Sequence, residues 1–173
     1  MRKLLASLVV ALVAFSTVDA FAQATASQTF TVRVPTNISI TAPANILINH
    51  DETDNNQPFP QQGWVVKGNT LTGVTVSFAT NQAFVHTTNA TFKRNAKLDL
   101  ALGATLGPAT WNITQATDTT DYANNDGVAS VQANSNGVGR ANFNLAVTFI
   151  TDGFGSFAAG DYVTTVTGTV TAN

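Results

Sequence analysis

From Arg140 to Ile150 the chain alternates most clearly. Ala141, Phe143, Leu145, Val147 and Phe149 share one parity, and Asn142, Asn144, Ala146 and Thr148 stand on the other. A period of two sends successive side chains to opposite faces of an extended backbone, so this stretch buries its apolar residues only as a strand with one wet face. The same rhythm recurs along most of the chain. Phe30, Val32 and Val34 alternate with Thr29, Thr31 and Arg33; Ile38 and Ile40 with Ser39 and Thr41; Val74, Val76 and Phe78 with Thr75 and Ser77; Leu98, Leu100 and Leu102 with Lys97 and Asp99. Trp111 and Ile113 form a further pair, and Tyr162, Val166 and Val170 share a parity in a Thr-rich run at the C-terminal end.

Thr is β-branched and suits a pleated, half-solvated surface better than a helix. Charge is sparse, at 10% of residues, so hydroxyls and amides must carry much of the solvation of exposed faces. No stretch keeps a 3.6-residue period for three turns, and almost no helix is expected after the N-terminal segment. Weaker strands are expected at residues 46–48, 64–67 and 129–131, and around Phe84 and Phe92. Pro35 and Pro43 end strands because they have no N–H to give a ladder. The polar stretches 50–62 and 118–127 are expected as surface loops, and Asp126-Gly127 and Asn136-Gly137 as turn sites.

Short strands with turns at this spacing predict an all-β fold, an antiparallel two-sheet sandwich of the immunoglobulin-like or pilin-like kind, with a closed barrel as the alternative. The chain has no cysteine. Disulfide scaffolds and thiol chemistry are thereby excluded, and burial with backbone pairing must supply the stability.

Arg2 and Lys3 precede an apolar run over residues 4–15, and Ala20-Phe21-Ala22 supplies the small-x-small pattern read by signal peptidase. Residues 1–22 are therefore expected to be a cleaved signal helix, and residues 23–173 a single β-sandwich domain outside the cytoplasm, in the periplasm, at the cell surface or in the medium. The apolar run falls short of the roughly 20 residues that span a bilayer, and no later stretch suffices, so no membrane span is expected after cleavage. Beyond residue 22 six basic residues face nine acidic ones. Lys93, Arg94 and Lys97 are the one basic cluster, which is not the clustered face that nucleic acid requires.

Candidate chemistry is thin. The two histidines, His50 and His86, match no zinc or facial-triad spacing. Asp51 and Asp54, and Asp118, Asp121 and Asp126, concentrate the hard oxygen donors that calcium takes, without the twelve-residue helix-loop-helix pattern. Solvated turns are the plainer account, and a loop-held calcium ion is the alternative; no other cofactor is expected. Glu52 is the sole glutamate and no Gly-x-Ser-x-Gly is present, so neither a paired-carboxylate hydrolase nor a serine acyl-transfer site is legible. The expectation is a protein that is not an enzyme. Among the aromatic residues, Trp111 and Tyr162 carry core parity, whereas Tyr122 stands in a polar loop and is the candidate contact for a glycan. Asn37-Ile38-Ser39, Asn89-Ala90-Thr91 and Asn112-Ile113-Thr114 fit the glycosylation acceptor pattern, a match that chance produces in a chain this rich in Asn and Thr.

The stretch from Phe157 to Tyr162, followed by the Thr/Val run to Ala172, contains Gly160-Asp161-Tyr162-Val163-Thr164-Thr165-Val166-Thr167. This ending resembles the closing strand of fimbrial and pilin-like subunits of the spore-coat and chaperone-usher kind, which finish in a similar Gly-x-Tyr-x-x-Thr-Val-Thr run. The likeness covers about the last fifteen residues together with the signal peptide and general layout, and the disulfide cysteines of many such subunits are missing. It implies a structural or adhesive surface protein, a fimbrial or fibre-type subunit assembled by strand exchange. The Phe30-Val32-Val34 strand then pairs in its own sheet or is donated to a neighbour. The alternative is an extracytoplasmic binding module for a glycan or another extracellular partner.

Overall fold

The computed structural model describes residues 23–173, and the expected signal helix over residues 1–22 lies outside the described residues. Residues 34–173 form one compact unit. It is nearly all-β, and every strand pairing in it is antiparallel. In chain order the strands are β1 (Ile38–Thr41), β2 (Gln57–Pro58), β3 (Gln62–Gly68), β4 (Val74–Thr80), β5 (Phe84–His86), β6 (Lys93–Arg94) and β7 (Ala96–Leu106). They continue with β8 (Trp111–Gln115), β9 (Thr117–Thr119), β10 (Ser130–Ser135), β11 (Gly139–Phe149), β12 (Tyr162–Val163) and β13 (Val166–Ala172). A single 3-10 turn, Tyr122–Asn124, is the helical element among the described residues.

One sheet runs β1-β3-β11-β7-β9, with β2 added on β11, and the other runs β13-β4-β10-β8. Their inner faces pack together around Trp64, Val66, Phe143 and Leu145 from the first, and Val76, Phe78, Trp111 and Val131 from the second. The alternation in β4 and β11 predicts this directly: Val74, Val76 and Phe78, and Ala141, Phe143 and Leu145, are all buried. Only Ala116 separates β8 in one sheet from β9 in the other, and Leu100 N donates to Ala116 O at 2.7 Å, so the chain itself turns the corner along that side. The opposite side is an open seam between β1 and β13. There the Cβ-less Gly168 lets Ile40 and Trp64 come close; an added Cβ would lie 2.6 Å from Ile40 Cδ1.

The two ends differ. Residues 69–73, 107–110 and 136–138 turn tightly at one end. Loops 50–56, 81–95, 120–129 and 150–165 gather at the other, where the small sheet β12-β5-β6 and a satellite cluster of Phe84, Phe149, Phe157 and Tyr162 sit.

Some expectations need correction. The alternating stretch at Phe30, Val32 and Val34 is in no strand, and its apolar side chains are 84%, 87% and 76% exposed. Residues 46–48 are not a strand either, with Leu47 exposed. Leu102 is 38% exposed because the β7–β11 register slips beside it, and β9 covers β7 only from Lys97 to Asp99. Asp118 belongs to β9 instead of a loop.

Candidate functional site

At the long-loop end, backbone turns fix both histidines in the same way. His50 Nδ1 accepts from Glu52 N at 3.0 Å, and its Nε2 lies 3.1 Å from Thr151 Oγ1. The Thr151 hydroxyl proton goes to Asn55 O, so His50 Nε2 is the donor in that pair. His86 Nδ1 accepts from Thr88 N and Asn89 N, and Nε2 donates to Ala159 O at 3.1 Å. Both rings therefore hold loops together with every ring nitrogen in use, and both flank one aromatic group: His50 packs edge-on against Phe149, and His86 against Tyr162.

Arg94 reaches into the same group. Its guanidinium lies over the Phe157 ring, 4.5 Å from the centroid, and it donates to Lys93 O at 2.8 Å and to Ser156 Oγ. Tyr122 leans on it, with the phenol oxygen 3.5 Å from Nη1, and is itself half-buried. The candidate glycan contact is thus half-buried, with its phenol oxygen beside a guanidinium.

The five aspartates offered for calcium stand in two separate places, and the carboxylates of Asp51, Asp54, Asp118 and Asp121 accept hydrogen bonds from protein donors. Asp51 accepts from Thr53 N, Thr53 Oγ1 and Gln57 Nε2, and Asp54 from Phe154 N at 2.7 Å. The Thr53 hydroxyl first, then the Thr53 N–H and the Gln57 amide, hold the Asp51 carboxyl below the usual aspartate range. Asp121 caps the 3-10 turn, accepting from Asn124 N and, at 2.6 Å, from Asn124 Nδ2, and its backbone is bridged to Asp126. Asp118 does something different. Its Oδ2 accepts from Ser130 N at 2.7 Å, tying β9 of one sheet to β10 of the other. Among the described residues no three His, Asp or Glu side chains converge as metal ligands.

Two surfaces escaped residue-type reasoning. The first is the open seam, where β13 is hydrogen-bonded to β4 alone and presents a free edge. The second is on the outer face near the tight turns. Ser39, Lys67, Arg140 and Leu106 stand in register across β1, β3, β11 and β7, lining a shallow depression of about 560 Å³. Only strand register brings these four together, and no spacing in the sequence announces it.

Among the described residues no helix is long and apolar enough to cross a membrane. No family model, curated protein or solved structure matches the chain.

Proposed function

We propose that this is an exported, non-enzymatic structural or adhesive surface protein, a two-sheet β-sandwich of the pilin-like or immunoglobulin-like kind that associates with its own copies by strand pairing. One observation carries the reading. Phe30, Val32 and Val34 present an alternating apolar face in a segment that belongs to no strand, and all three side chains are more than three-quarters exposed. An alternating face left in water is a strand without a sheet, and a free edge with backbone groups to share is its natural complement. The free side of β13 supplies such an edge, seven residues long and bordered by the open seam.

Light scattering and electron microscopy of the purified chain test this, with a Phe30→Ser/Val32→Ser variant alongside. Concentration-dependent association in the wild type, lost in the variant, is the expected result. A wild-type monomer at every concentration, with no filaments, contradicts the reading. A second reading, a glycan-binding module, is favoured only by the half-exposed Tyr122 ring beside Arg94. Binding on a glycan array that Tyr122→Ala abolishes would put it first.

A further inference from the structure

Acidic charge is segregated along the strand axis, and the long-loop end stays net acidic with Lys93 and Arg94 of β6 counted in it. Of the nine acidic side chains after residue 22, Asp51, Glu52, Asp54, Asp121, Asp126, Asp152 and Asp161 lie in the loops of the long-loop end, and Asp118 stands beside them on β9. The ninth, Asp99, is taken by Lys97 at 3.0 Å. At the tight-turn end the charged side chains of residues 34–173 are Lys67 and Arg140, and they face each other directly across β3 and β11. Like charges opposite one another in an antiparallel pair disfavour the sheet. Among the described residues neither has a carboxylate in ion-pair range, and the one ion pair that does not need a protonated histidine is Lys97–Asp99. The two cations flank a depression whose rim includes Asn69 and the exposed Leu106 and Val138.

We propose that this basic depression receives the acidic loop end of a second copy, so that copies meet head to tail. The inference rests on the self-association proposed above and adds its direction. The two surfaces differ, so the contact is heterologous and does not close on itself, which makes an open chain of copies. Charges of this kind act chiefly on encounter rate and orientation, leaving affinity to the strand segment. With a screening length of about 8 Å at physiological salt, only groups near the contact take part.

The test is the association rate of the purified chain by stopped-flow light scattering at low and high salt. Three proteins are compared: the wild type, Lys67→Glu/Arg140→Glu, and Glu52→Lys/Asp161→Lys, whose replaced side chains make no hydrogen bond among the described residues. Circular dichroism confirms that each is folded. The wild-type rate is expected to fall at least about tenfold with added salt, and each reversed variant to associate at least about tenfold more slowly than wild type at low salt. A mixture of the two variants recovers a fast rate. If Lys67→Glu/Arg140→Glu associates like wild type with the same salt dependence, the directional contact is wrong while strand pairing stands. If the mixture stays slow and a soluble polyuronate binds the wild type but not Lys67→Glu/Arg140→Glu, the depression belongs to an acidic polysaccharide and the inference fails. A wild type that never associates removes the underlying reading as well.

Discussion

Phe78 and Phe143 come from opposite sheets and meet edge to face across the core, their ring centroids 5.9 Å apart. Trp64 adds to one side, 5.2 Å from Phe78, and Trp111 to the other, 5.6 Å from Phe143, so four rings alternate between the two sheets. Without a disulfide, this stack is the cross-link between the layers. Phe143→Ala is expected to cost about 3–5 kcal/mol in denaturant unfolding, the range for emptying a fully buried aromatic site. Phe143→Leu should cost clearly less.

Gly168 sets how close the edge strand comes to the seam. Gly168→Ala would place a methyl 2.6 Å from Ile40 Cδ1 and 2.8 Å from Trp64 Cζ3. Overpacking of this kind costs about 1–3 kcal/mol. The variant should unfold at lower denaturant with a shifted tryptophan emission, since Trp64 must move; an unchanged midpoint and spectrum would show that β13 does not lie where Gly168 puts it.

Asp118 joins the sheets at their edge. Asp118→Ala leaves Ser130 N without its acceptor. A hydrogen bond to a charged group contributes about 1.5–3 kcal/mol, so a loss of that order is expected, together with faster amide exchange at Ser130. Exchange at Ser130 as slow as in wild type would contradict the tie.

Two groups set opposite pH limits. The Asp51 carboxyl is held below its ordinary range by its Thr53 hydrogen bonds. Its contribution is therefore present above the unfolded value of about 3.9 and is lost as pH falls through the lower folded value. Exchange in residues 51–57 should rise at the acid end before the core strands open. Burial raises the Tyr162 phenol, against the opposing charge of Arg94. Stability tied to that neutral phenol is complete below about pH 10 and disappears as pH rises through the higher folded value. The absorbance change that is lost in Tyr162→Phe should lie above the ordinary phenol range in wild type.

The core was legible because β4 buries one parity completely and β11 does so from Ala141 to Leu145, and a period of two has only one reading when a face is dry. The same rhythm at Phe30, Val32 and Val34 misleads for a physical reason: alternation records a face that needs covering, not the presence of a cover. Leu102 carries the inward parity of Leu98 and Leu100, yet the register slip and missing neighbour beside it depend on other strands. Thr80 and Thr120 read as solvating residues. Both are buried, and their hydroxyls accept backbone N–H groups from Ala129 and Ala96 at 2.9 Å where the ladders run out. Of the candidate site residues, sequence placed Tyr122 in a polar stretch but could not set Arg94 beside it, 28 positions away. Nor could it oppose Lys67 to Arg140, a pairing that only the β3–β11 register makes.

Amide hydrogen exchange of the segment around Phe30, Val32 and Val34, followed as protein concentration rises, tests strand-paired self-association most directly. In dilute solution these amides should exchange freely. As copies associate they should become protected together with the free edge of β13. Association that leaves residues 30–34 exchanging as fast as in the monomer would contradict the account.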